Sequence, residues 1–267
     1  MNSTPYTSPQ RSLVLDIAHR CIDYLVHGAG TPLESGSISL ASSIEDVRQA
    51  MENVIYDNAF LLNEYASTTI ALHSSHFALM PGDLVKSNLA KKVLHASFST
   101  VDGDMLTGYI PGTDAAVACD IHPGVLPFIR RTFAGATILP HLVPWCAYCV
   151  RAYREDTACM HIHTGSNEAH IVVTANGKLQ MANTFAHHAV EDVVYYAMNM
   201  WKACHLNNSR DKVMLTGDND LRAKVAEQLR QWIALVMPHM APLQAHKLGP
   251  EASTLPFNLL SLAMFVS

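Results

Sequence analysis

Two groups of residues have the types and spacing to do chemistry. The first is Trp145-Cys146-Ala147-Tyr148-Cys149. Cysteines three apart behind an aromatic residue act as a redox pair when a helix N-terminus lowers the thiol pKa. The second group adds Cys159, His161 and His163 to that pair. Along a strand these three alternate and share one face, so with Cys146 and Cys149 they would assemble zinc donors. A redox pair, however, belongs after the first long strand of its own domain, and this one lies mid-chain. No second Cys-x-x-Cys completes a zinc site. The six cysteines are therefore expected as reduced, unbridged thiols, with no metal and no redox cofactor. The fifteen histidines are spread over the whole chain, and no tract explains them.

The elements that must carry these residues are drawn from 267 residues, of which 49% are hydrophobic and 15% charged. That composition supplies a large core and excludes disorder. With 18 Lys+Arg against 23 Asp+Glu and no basic run, nucleic-acid binding is not expected. No segment approaches the roughly 20 apolar residues of a membrane helix, so no direct membrane insertion is expected. The opening MNSTPYTSPQRS has neither a basic region nor an apolar stretch, which makes a cytoplasmic location the expectation.

Strand patterns run over Ser12–Ile17, Cys21–His27 and Ser37–Leu40. A helix starts at Ser43 with Val47, Ala50, Met51, Val54 and Ile55 on one face, and a strand follows at Thr68–His73. A Pro81-opened helix to about Lys91 leads to strands at Val93–Phe98, Met105–Ile110 and Ala115–Ile121, a helix from Pro123 to Phe133, a strand at Thr137–Leu139, and a helix near Trp145–Arg154. The second half repeats the first. Strands at Met160–His163, His170–Thr174 and Leu179–Phe185, the last two joined by Asn176-Gly177, precede a helix over His188–Cys204. A strand at Val213–Thr216 and a helix over Asp220–Val236 complete it, leaving the apolar tail Leu255–Val266 to pack back. Hairpin, third strand, helix, strand, helix is the order of a ribonuclease-H-like unit. Two in tandem give an α/β, actin-like (actin/hexokinase/Hsp70) fold, with lobes 1–139 and 140–267.

The stretches Lys178–Phe185, Glu191-Asp192-Val-Val-Tyr-Tyr196 and Met214-Leu-Thr-Gly217, with His76–Leu84 in the first half, resemble a bacterial family of unknown function, DUF3822. The resemblance implies an actin-like ATPase fold and leaves activity open. In such folds two acid-and-Gly turns meet phosphate and metal, and a third, Gly-rich turn holds adenosine. The matching positions are Asp16 and Arg20 in the first turn, Thr164, Gly165 and Ser166 in the second, and Gly217 in the third. Ala18 stands where glycine would let backbone approach phosphate, and the second turn has no Asp. Phosphoryl transfer needs positioned charge and metal. The expectation is a degenerate cleft without catalytic residues, in a protein that works by binding an unidentified protein partner. The alternative is a divergent ATP-binding protein with weak ATPase or switch activity, with ATP as its ligand.

Overall fold

In the computed structural model, residues 10–40, 46–152, 157–165 and 167–266 are described. Leu13, Val14, Leu15 and Ile17 are each at most 1% exposed, and a strand apolar on both faces belongs in the middle of a sheet. Strand β1 (Arg11–Ile17) accordingly has a neighbour on each side. It pairs antiparallel with β2 (Cys21–Gly28), which turns back into β3 (Glu34–Ser39). Helix α1 (Val47–Asp57) then crosses over to β4 (Thr68–Leu72), parallel to β1. The α1 cap is Asp46, whose carboxylate accepts the Gln49 N–H at 3.2 Å; the expected cap, Ser43, lies outside the described residues.

An insertion follows: β5 (Phe77–Pro81), α2 (Gly82–Lys86), α3 (Ala90–Ser97), β6 (Asp104–Tyr109) and β7 (Ala115–Ile121). Its strands form a small sheet in the order β5-β7-β6. The strand expected at Val93–Phe98 is instead part of helix α3. Ala90 and Leu94, four apart, are the residues buried against Met80 and Ala118, which is a helical and not a strand period. Helix α4 (Val125–Thr132) leads into β8 (Thr137–Pro140), parallel to β4. The first sheet therefore reads β3-β2-β1-β4-β8.

After α5 (Leu142–Ala152) come β9 (Cys159–Thr164), β10 (Glu168–Ala175), β11 (Lys178–Ala186), α6 (Val190–Ala203), β12 (Lys212–Gly217), α7 (Asn219–Leu229) and β13 (Leu235–Pro238). Asn176 and Gly177 both take positive φ between β10 and β11, as a tight hairpin turn requires. The second sheet is β11-β10-β9-β12-β13 and repeats the first strand for strand, with the same parallel and antiparallel pairings. Two ribonuclease-H-like lobes are thus joined in one actin-like α/β chain. The helix expected to run to Val236 stops at Leu229. Beyond it Leu235, Val236 and Met237 alternate exposed, buried, exposed, and pair with β12.

Helix α8 (Phe257–Val266) is buried almost all round and packs on β1, β2 and β4 of the first sheet. Helix α5 packs in turn on β10 and β11 of the second sheet, and the two helices lie against each other. Each sheet is covered by a helix that comes after the other sheet's last strand, so the core is continuous across the junction. Arg151 fastens the pair by donating from Nη2 to the Met264 carbonyl at 3.1 Å, a cation at a helix C-terminus.

Candidate functional site at the lobe junction

Asp16, near the end of β1, is 5% exposed. His73 Nε2–H donates to its Oδ1 at 2.9 Å and Asn258 Nδ2–H to its Oδ2 at 2.8 Å. Asn258 also donates to Asp23 Oδ2 at 2.8 Å, so one amide bridges two carboxylates on adjacent strands. Burial pushes the Asp16 pKa up, but the His73 charge and the hydrogen bonds from His73 and Asn258 overcome it and hold it below the usual value. For His73 burial pushes the pKa down, yet the Asp16 carboxylate wins and raises it. Each group thus favours the charged form of the other.

Strand register explains a second arrangement. Leu72 of β4 pairs with Pro140 of β8, so His73 and His141, each one residue further on, emerge side by side. Their rings stack with centroids 4.1 Å apart. From the other lobe, His170 of β10 stands opposite His163 of β9 and brings its ring to 5.2 Å from His141 and 5.8 Å from His73. Thr184 Oγ1 lies 2.7 Å from His170 Nδ1. Burial, then the neighbouring His73 charge, holds His141 and His170 well below the ordinary histidine range; burial pushes His163 down to about 4.

Cys159, His161 and His163 do share the face of β9 that looks at α5 and α8. Trp145 Nε1–H donates to His161 Nδ1 at 2.7 Å, and Phe257 packs on His161, His163 and Trp145. The cysteines and histidines considered as zinc donors and set aside do not form the one close donor group found among the described residues. Among the described residues, the donors whose ligand atoms lie within 4.8 Å of one another are His73, His141 and His170. The six cysteines are free thiols; burial raises Cys146 to about 12 and Cys149 well above its usual value, opposite to what thiolate chemistry needs.

A cleft of about 670 Å³ opens beside this junction, lined by Asp23, His163, Thr164, Gly165, Gly217 and Arg222 among others. Of the residues singled out from sequence, Thr164, Gly165 and Gly217 reach it. Asp16 is buried and does not line it, Arg20 is exposed in the β1–β2 turn and does not line it either, and Ser166 lies outside the described residues. Thr164 spends its hydroxyl on the Thr216 carbonyl at 3.1 Å. Gly217, at φ +100°, is there for packing: a Cβ would run into the Thr164 carbonyl oxygen. Asp218 caps α7 by accepting the Leu221 N–H at 2.9 Å. The histidine trio was missed from sequence. Its only local trace is that two apolar strands, Thr68–Leu72 and Thr137–Pro140, each end on a histidine.

A family model for proteins of unknown function, DUF3822, matches residues 2–236. The chain belongs to that family. No curated protein matches it. Among solved structures, the DUF3822 chain is similar to a Bacteroides thetaiotaomicron protein with an actin-like ATPase fold and unknown function. The two share 18% identity over 97% of this chain and 99% of that one, with a TM-score of 0.81. It is also similar to a chain of the PilM–PilN type IV pilus biogenesis complex, at 12% identity over 96% and 98% of the two chains and a TM-score of 0.59. At these identities the likeness establishes the actin-like fold of the DUF3822 chain. No helix among the described residues is long and apolar enough to cross a membrane.

Proposed function

We propose that this DUF3822 protein is a cytoplasmic, bacterial pseudo-ATPase: an actin-like module that hydrolyses nothing and acts by binding another protein. In this reading the first lobe comprises residues 1–139 and the second 140–267, with α5 and α8 as the crossed links between them. The observation that carries the reading is the state of Asp16. Catalysis in this architecture asks a carboxylate to hold Mg²⁺ or orient water. Asp16 is buried, accepts from His73 on one oxygen and from Asn258 on the other, and is not among the residues that line the cleft. The second turn offers Thr164 and Gly165 with no Asp. Support for a partner comes from the second lobe, where Trp232, before edge strand β13, and Met240 and Leu243, beyond its other end, are 49%, 80% and 83% exposed. An actin-like fold also occurs in the PilM–PilN complex.

Two measurements test this. Phosphate release with Mg²⁺ and ATP should be equal and near background for the native protein and Asp16→Ala; turnover that disappears in Asp16→Ala would overturn the reading. Proteins that co-purify with the native chain should be lost from a Trp232→Ser/Leu243→Ser double variant of unchanged melting temperature.

A second reading, a divergent ATP-binding protein, is favoured by the cleft itself, which Arg222 lines as a cation able to meet an anion. It requires Mg-ATP to stabilise the fold, by about 2.7 kcal/mol at a hundred times the dissociation constant, and Arg222→Ala to abolish the effect.

A further inference from the structure

His73, His141 and His170 offer one ring nitrogen each, and these nitrogens lie within 4.8 Å of one another. Nitrogens bound to a tetrahedral ion at about 2.0–2.1 Å stand about 3.3 Å apart, so the rings need close by no more than about 1.5 Å. The stacked His73 and His141 would tilt apart at their far edges to do so. The remaining nitrogens are already placed as a metal site requires. Ligating histidines characteristically give their second N–H to an outer acceptor, which fixes the tautomer and aims the free lone pair. Asp16 accepts from His73 Nε2, leaving Nδ1; Thr184 Oγ1 faces His170 Nδ1, leaving Nε2. His141 keeps its Nε2 buried with no hydrogen-bond partner, an arrangement that is costly unless something else satisfies it.

We propose that His73, His141 and His170 form a binding site for a divalent zinc-class ion, with Asp16 and Thr184 as outer partners and the fourth position open to water. The donor set decides the class: three imidazoles suit Zn²⁺ and its neighbours, whereas Ca²⁺ and Mg²⁺ take oxygen ligands. The His73 side chain retains 18% exposure and gives the ion its approach. Because His73 and His141 come from one sheet and His170 from the other, the ion would clamp the two lobes. The site is separate from the nucleotide question and stands whether or not the cleft is degenerate.

The test uses full-length protein stripped with a chelator. Zn²⁺ is titrated against a chromophoric competitor, and Co²⁺ is followed by its visible absorption. One ion per chain, with the intense spectrum of a four-coordinate Co²⁺ site, is the expected result. His141→Gln and His170→Gln should weaken binding at least 100-fold, while the exposed-site control His95→Ala changes nothing. Thr184→Val, which leaves all three ligands in place and keeps the proposal testable should the histidine variants misfold, should weaken it 10–100-fold. Zinc affinity unchanged in His170→Gln and Thr184→Val, or a Co²⁺ spectrum of an octahedral aquo ion only, would overturn the proposal.

Discussion

Asn258 Nδ2 stands 2.8 Å from Asp16 Oδ2, although 242 positions separate the two residues. The contact joins the start of the last helix to the first strand and ends on a carboxylate that is almost wholly buried. Asn258→Ala removes the donor from both Asp16 and Asp23. Hydrogen bonds to charged groups are worth about 1.5–3 kcal/mol, and the loss is larger when the acceptor stays buried. Chemical denaturation should show a destabilisation of about 2–3 kcal/mol, while a loss below 0.5 kcal/mol would mean that water replaces the amide.

Phe257, one residue earlier, is 5% exposed and packs on Trp145, Tyr148, His161 and His239. Truncation of a buried phenylalanine costs about 3–5 kcal/mol. Phe257→Ala should therefore lower the melting temperature by many degrees, whereas the half-exposed Trp232→Ala should leave stability within about 0.5 kcal/mol. Equal effects at the two sites would contradict the packing described for α8.

Gly217 and Gly112 both take positive φ, at +100° and +79°. A Cβ on Gly112 meets nothing within 4 Å, whereas one on Gly217 strikes the Thr164 backbone. Gly112→Ala should cost about 1 kcal/mol from the dihedral alone. Gly217→Ala should cost clearly more, about 3 kcal/mol or above, because backbone must move as well. Paired denaturation curves measure the difference.

His161 and His239 supply a pH dependence. Burial holds His161 well below the ordinary histidine value and pushes His239 down to about 4. Trp145 donates to the first, and the Tyr148 hydroxyl lies 2.9 Å from the second. A histidine neutral in the folded state but protonated when unfolded takes up more protons on unfolding. Stability is then complete above pH 6.5 and declines as pH falls toward 4, by about 1.4 kcal/mol per pH unit for a fully buried ring. Denaturant midpoints should drop steadily from pH 6.5 to 4.5, and His239→Gln should flatten the slope. A flat profile in the native protein would show that these rings remain hydrated.

The repeated strand-and-helix order was legible because it is written locally. Apolar runs such as Leu13–Ile17 and Ile171–Val173, and the Asn176-Gly177 turn, declare their conformation within a few residues. Asp16 was legible too, as an acid at the end of a first strand. Its partners were not: His73 arrives through the β1–β4 pairing and Asn258 from the far end of the chain. The histidine trio is further out of reach, since His73 and His141 meet only through the β4–β8 register, across the whole inserted β5–α4 segment. The misread stretches, Val93–Phe98 and Trp232–Val236, are short apolar runs in which strand and helix periods cannot be separated until a neighbour decides.

The crossed arrangement of α5 and α8 also sets an order for synthesis. All strands of the first sheet are synthesised once Pro140 is made, but the apolar helix that covers β1, β2 and β4 is encoded more than a hundred positions later, by Phe257–Val266. At ribosomal speeds the gap is on the order of ten seconds. For that interval the nascent first lobe presents an uncovered apolar sheet face, a surface that chaperones bind and that aggregation exploits. Completion of the first lobe waits for residues that lie beyond the second sheet, so premature termination anywhere before Phe257 should yield a chain handled by quality control and not a stable half-molecule.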